Sequence, residues 1–264
     1  KAQKMLAGQF PRLTIEPNFH FETQAKTKGK ASKASRSLAR AMIGWEKATS
    51  KCGAGLRIGM IDSPVDVGHS SLKGRSIEYR TFHDPQYREA PPDHGTAIAS
   101  MLVGRPKWGG LMPGAELRAA NMFGVTRRGM LIGSSDALIK AINWMALERV
   151  HVINISIAGA RNELVKTAVA RARKKGVIAV AAAGNGGASA RPYYPAAYKN
   201  VIAVTAFDRN KSAFKQANTG EYIDFAAPGV KIYTAMAGGT GELQSGTSFA
   251  TPFVAVLAAL EAKK

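Results

Sequence analysis

The sequence predicts an α/β fold: a mostly parallel β-sheet with helices on both faces. Two observations carry this. Five short runs of strand length are almost continuously apolar, as strands become when both their faces are buried. Helical stretches stand between most of these runs, and strand–helix–strand alternation is the pattern of a parallel sheet with crossover helices. The chain has 264 residues, 45% of them hydrophobic, enough for one domain of this kind with a sizeable core.

Taken in order, residues 1–23 contain an alternating strand pattern at Leu13–Glu16, stopped by Pro17-Asn18. From Gln24 to Ser37 the chain uses only Lys, Arg, Ala, Ser, Thr, Gly and Gln, the composition of a flexible basic linker. The expected organisation is therefore a leader or pro-segment tail over 1–23, a linker over 24–37 and a folded domain over 38–264. Leu38, Met42 and Trp45 share one face of a helix expected over Leu38–Ser50. The expected strands are Arg57–Ile61, Leu117–Met122, Val150–Ile155, Val177–Ala182 and Val201–Thr205. Asp136–Arg149 carries Leu138, Ile142 and Met145 on one helical stripe. Asn162–Lys175 opens on a capping Asn followed by Glu163 and closes on Arg171, Arg173, Lys174 and Lys175 before Gly176, charges that match the helix dipole.

The formal net charge is +19, and residues 1–51 hold eleven Lys/Arg against three Asp/Glu. Such a charge attracts polyanions nonspecifically. No helix-turn-helix, zinc-finger or RNA-binding signature accompanies it, so it reads as a solvated basic surface. No apolar run approaches the roughly 20 residues that span a bilayer. Cys52 is the single cysteine; it excludes an intrachain disulfide, and its loop setting, Lys51-Cys52-Gly53, does not read as that of a nucleophile. The five histidines, at 20, 69, 83, 94 and 151, form no metal-ligand motif, so no metal site is predicted from them.

In parallel sheets, sites gather at the carboxyl ends of the strands. The first core strand runs into Asp62. His94 lies in the first turn of a short helix, Asp93-His94-Gly95-Thr96. Asn185 follows the strand Val177–Ala182 in Ala183-Gly184-Asn185-Gly186, and the residues after it do not read as a hairpin return. Ser248 sits in Gly246-Thr247-Ser248-Phe249 at the mouth of an apolar helix. Singly, each has an ordinary reading as a cap, a turn or a structural side chain. Jointly, they suit acyl transfer: Ser248 as nucleophile, His94 as base, Asp62 as orienter, and Asn185 with the Ser248 N–H as oxyanion donors.

From about Trp45 onward the sequence resembles the subtilisin-like serine proteases. The resemblance rests on IGMIDSPVD around Asp62, HGTAIAS around His94, VINISIAGA around Ser156, AAAGNGG around Asn185, FAAPGV at Phe225–Val230 and GTSFATPFVA around Ser248, in the family's order of Asp, His and Ser. It implies a three-layer α/β sandwich with a central, mostly parallel sheet of about seven strands, and a secreted or periplasmic endopeptidase, monomeric, acting on extended protein or peptide substrates. It implies substrate-binding roles for Asn154, Ser156, Ala158 and Gly159 along one edge and for Ala182, Ala183 and Gly184 as the opposite wall of the specificity pocket. Tyr193 stands at the pocket base, where relatives frequently have a small residue. No cofactor is required by the resemblance, which allows a weakly held structural calcium or sodium near Asp224. The pattern departs at Pro64, Ala97 and Phe249, none of them a triad position.

Overall fold

The computed structural model describes residues 20–23, 27–29, 39–45 and 49–263. In chain order its strands are β1 (His20–Thr23), β2 (Thr27–Gly29), β3 (Arg57–Asp62), β4 (Ile77–Thr81), β5 (Arg88–Glu89), β6 (Glu116–Asn121), β7 (Phe123–Val125) and β8 (Leu131–Ser134). They continue as β9 (Val152–Ile155), β10 (Ile157–Gly159), β11 (Ile178–Ala182), β12 (Val201–Phe207), β13 (Phe225–Pro228), β14 (Ile232–Met236) and β15 (Thr240–Ser245). The helices are α1 (Asp93–Val103), α2 (Ser135–Leu147), α3 (Glu163–Lys174) and α4 (Thr247–Glu261).

Seven strands form the central sheet, in the order β13-β12-β11-β9-β3-β6-β4, and every neighbouring pair is parallel. The inner strands β3, β9, β11 and β12 are largely apolar because alternate residues serve different cores. On one face Ile58, Met60, Val152, Val180 and Val204 pack with Ile98 and Leu102 of α1 and with Phe253 and Val256 of α4. On the other, Ile61, Ile153, Ile155, Ala179 and Ala181 pack with Leu138, Ile142 and Met145 of α2 and with Val165, Val169 and Ala172 of α3. The result is the three-layer sandwich, with all five expected strands present. The expected helices begin where their caps stand: Ser134 accepts from the Ala137 N–H and Asn162 from the Val165 N–H.

Two expectations near the amino terminus need correction. The helix expected over Leu38–Ser50 does not form as such: helical geometry covers 39–41, and a turn follows over 42–44. Gly44 takes a left-handed φ of 68°, and the Trp45 N–H bonds back to the Arg40 carbonyl. The indole of Trp45 then donates to the Leu111 carbonyl at 3.0 Å, so a tertiary contact overrides the helical stripe. The stretch read as a flexible linker contributes a strand, β2, which pairs with β15; its basic, small residues carry no strand pattern. Leu13–Glu16 lies outside the described residues.

Candidate active site

Asp62 ends β3 and is fully buried. Its Oδ1 accepts the Ser63 N–H at 2.7 Å and lies 2.6 Å from His94 Nδ1. A carboxylate at that distance holds the imidazole proton on Nδ1, which makes Nε2 the basic nitrogen. His94 Nε2 is buried with no hydrogen-bond partner among the described residues. The helix that carries His94, α1, is pressed onto the chain next to Asp62. The N–H of its third residue, Gly95, donates to Ser63 Oγ at 2.9 Å. A Cβ on Gly95 would come within 2.2 Å of the Ser63 carbonyl oxygen, a distance only glycine tolerates. The Asp62-Ser63 pair thus both orients the imidazole and anchors its helix.

Ser248 is the second residue of α4 and has no exposed surface. Pro252, inside the same helix, has no N–H to give to the Ser248 carbonyl four residues earlier. Ser156 Oγ reaches that carbonyl instead, at 3.4 Å, while Ser248 Oγ donates to the Ser156 carbonyl at 3.2 Å. The fully buried Asn154 steadies this pair, its Nδ2 donating to Ser156 Oγ at 2.8 Å. The His94 ring lies 5.5 Å from that of Phe249, the residue next to Ser248. In this conformation the Ser248 hydroxyl is turned to Ser156.

Asn185 follows β11 in a buried position and is tied to the start of α4: its Oδ1 accepts from the Thr247 N–H at 3.0 Å and from Thr247 Oγ1 at 3.2 Å. Using the carbonyl end in this way fixes the direction of the amide's donor end. Asp62 and His94 thus form one pair at the carboxyl end of β3, Asn185 is tied to the amino terminus of α4 beside Ser248, and the His94 ring against Phe249 links the two. There, the dipole of α4 favours developing negative charge.

The other expected substrate-binding residues lie on β10, at the end of β11 and beside it. Ala158 and Gly159 lie in β10, with Ala158 buried and Gly159 half-buried. Ala182, Ala183 and Gly184 are fully buried at the end of β11. The Gly184 N–H donates to Thr247 Oγ1 at 3.2 Å. Tyr193 packs its ring on Gly184, which has φ 109°; a Cβ there would stand 2.3 Å from Tyr193 Cδ2. Two residues not singled out from the sequence hold this segment. Asn218 accepts from the Gly186 N–H at 2.8 Å and donates its own N–H to the Gly184 carbonyl at 2.9 Å. Tyr222 donates its hydroxyl to the Ala183 carbonyl at 3.0 Å. Neither carries a local signal, because each acts across more than thirty residues of chain. Thr247, also missed, was legible as a hydroxyl beside the nucleophile.

Asp224 accepts the Ala203 N–H on Oδ2 at 2.8 Å, so it pins a strand end. No group of three His, Cys, Asp or Glu able to hold a metal ion occurs among the described residues. Cys52 is a free, half-buried cysteine whose burial pushes its thiol pKa up, the opposite of what a thiolate nucleophile needs.

Comparison with known proteins agrees with this geometry. The model of the subtilase family matches residues 53–264. A thermophilic serine proteinase of Bacillus sp. (strain AK1) is 35% identical over 223 residues, covering 81% of this chain and 54% of that protein. Subtilisin DY of Bacillus licheniformis is 32% identical over 218 residues, covering 79% of this chain and 77% of its own. Among solved structures, the self-cleaved protease domain of PatA superposes with a TM-score of 0.69 at 32% identity, covering 80% of both chains. A cold adapted subtilisin-like serine proteinase gives 0.69 at 27% identity, covering 83% of this chain and 78% of the other. A parallel seven-stranded sandwich, the 2.6 Å Asp62–His94 pair and these matches lead to one conclusion: the chain belongs to the subtilase family.

Proposed function

We propose that this chain hydrolyses peptide bonds through an acyl-enzyme, with Ser248 as nucleophile, His94 as general base and Asp62 as its orienter. The observation that carries the reading is the 2.6 Å contact between Asp62 and His94 beside the helix terminus that bears Ser248. Ser248 Oγ rotates from Ser156 toward His94 Nε2, loses its proton to that nitrogen and attacks the carbonyl carbon. The Ser248 N–H and the Asn185 amide stabilise the oxyanion. The carbon–nitrogen bond breaks, His94 gives its proton to the leaving amine, and water then hydrolyses the ester by the same proton path.

Substrates bind extended, adding a strand to β10, so that Ala158 and Gly159 pair through their main chains and Ser156 flanks the scissile residue. Asn154 contributes from beneath, through Ser156. Ala182, Ala183 and Gly184 wall the pocket for the residue before the scissile bond, and Tyr193 shortens it, which selects small or medium apolar side chains. Chemistry needs no cofactor. A structural calcium or sodium near Asp224 has little donor support, since one carboxylate oxygen is engaged by Ala203, and no step runs through it.

The leader 1–23 acts as a pro-segment tail, a reading supported by the self-cleaved state named for the PatA protease domain. A monomeric, secreted or periplasmic protein fits the family, and no helix among the described residues is long and apolar enough to cross a membrane. The surplus of positive charge adds only nonspecific attraction to polyanions. Hydrolysis of a peptide library by wild type and not by Ser248→Ala tests the reading. Equal activity of the two ends it.

A further inference from the structure

The main chain on either side of Asn185 is held by one residue. The Asn218 N–H donates to the Gly184 carbonyl at 2.9 Å, and Asn218 Oδ1 accepts the Gly186 N–H at 2.8 Å. A peptide unit is planar, so the carbonyl of one residue and the N–H of the next turn together. The Gly184 carbonyl lies in the plane that enters Asn185, and the Gly186 N–H in the plane that leaves it. Asn218 therefore fixes both planes between which the Asn185 Cα, the root of its side chain, is hung.

Asn218 is itself locked. It is 1% exposed, and its Nδ2 donates to the Arg191 carbonyl at 3.1 Å. Its loop also holds the same segment one residue further out on each side. The Tyr222 hydroxyl donates to the Ala183 carbonyl at 3.0 Å, and the Gly187 N–H donates to the Gln216 carbonyl at 2.9 Å. Glycine on both flanks of Asn185 makes the approach possible: a Cβ on Gly184 would lie 3.2 Å from Asn218 Cγ, and one on Gly186 3.2 Å from Asn218 Oδ1. Gly184 takes a φ of 109°, a shape that glycine permits but does not enforce. The restraint has to come from outside the segment.

The far end of the side chain is fixed separately, by the two bonds from Thr247 to Asn185 Oδ1. A hydrogen-bond donor stabilises an oxyanion when it is already aimed at the place where charge develops. Holding the tip alone would leave the backbone free to swing under it.

We infer that Asn218 is a positioning residue for the oxyanion donor, setting the main chain from which the Asn185 amide projects. The inference rests on the oxyanion role given to Asn185 above and adds what enforces it. Among the described residues the bonds of the Asn218 amide go to Gly186 and Arg191, so it acts on the reaction through Asn185. Its weight falls on the tetrahedral state and not on ground-state binding along β10, hence on kcat more than on KM.

The test is a double-mutant cycle with a peptide substrate, using wild type, Asn218→Ala, Asn185→Ala and the double variant. Alanine at 218 removes the acceptor of the Gly186 N–H and keeps the N–H that serves Gly184. Asn218→Ala should lower kcat about thirtyfold, within the range of about 10²–10³ for loss of a whole oxyanion donor, and leave KM within about twofold. Affinity for a peptide boronate, whose tetrahedral adduct on the serine puts an oxygen in the same place, should fall in parallel. In the Asn185→Ala background the same substitution should cost less than about threefold, because the group it positions is gone. Losses that multiply in full in the double variant overturn the inference, as does a wild-type kcat in Asn218→Ala or a loss confined to KM. Melting curves establish that each variant is folded at the assay temperature, and Asn218→Ser is carried through the same cycle. If neither variant at 218 is folded there, the clasp is a folding element and the inference falls. A wild-type kcat in Asn185→Ala strikes the oxyanion role itself, and absence of turnover by wild type strikes the peptidase reading.

Discussion

The ring of Tyr193 lies so close to Gly184 that a methyl group on the glycine would approach Tyr193 Cδ2 to 2.3 Å. In the proposed specificity pocket the two residues share one wall, so the ring would set how much room remains there. Peptides ending in Ala or Leu before the scissile bond should be turned over faster than the matched Phe peptide. Tyr193→Gly should reverse the order by opening the pocket. A wild type that already prefers Phe and is unmoved by Tyr193→Gly would refute this.

Ser248→Ala and His94→Ala should each remove essentially all turnover without unfolding the domain, since nucleophile and base work as a unit. The expected loss is the figure known for subtilisin itself, on the order of 10⁶-fold in kcat. Asn185→Ala should cost about 10²–10³-fold, again the subtilisin figure for one oxyanion donor. Steady-state kinetics with circular dichroism on each variant check both statements.

Gly95→Ala changes no reacting group, yet its methyl would meet the Ser63 carbonyl at 2.2 Å. The helix must lift, and His94 moves with it. Turnover should fall at least tenfold while organophosphonate-labelled protein still forms slowly; a variant with wild-type kcat would show that α1 has slack.

Burial, with the Glu89 carboxylate 2.8 Å from its hydroxyl, pushes Tyr79 up to about 12. An unfolded tyrosine titrates near about 10, so the folded state favours the neutral phenol. That contribution is fully present below pH about 10 and is lost as pH rises through about 12. Melting temperature against pH should drop across this window in wild type and drop less in Tyr79→Phe.

Chelation should leave turnover intact and at most lower the melting temperature, because Asp224 already serves the Ala203 N–H. Complete loss of activity in EDTA, restored only by zinc, would contradict the mechanism.

Much of this was legible in the chain. The apolar runs at Arg57–Ile61 and Val177–Ala182 announced strands buried on both faces, and Asn162 marked the start of its helix. Asp62, His94, Asn185 and Ser248 were legible because each sits at a strand end or helix mouth in a short, recognisable motif. Asn218 and Tyr222 were not, because their partners, Gly184 and Ala183, are distant in sequence and the bonds go to main-chain atoms. The strands β1 and β2 were hidden for a related reason: main-chain pairing leaves little trace in residue type. The helix expected after Leu38 failed where one tryptophan found a better partner than its own helix face.

The helix that carries Ser248 is walled in along its first ten residues, Thr247 to Val256, every one of them buried. Amide groups in such a helix exchange with solvent only when the whole domain opens. The nucleophile's position is therefore tied to global unfolding and not to the breathing of any surface loop. Heat should inactivate this protein at the rate at which the entire sandwich comes apart, so its working lifetime is set by an unfolding barrier.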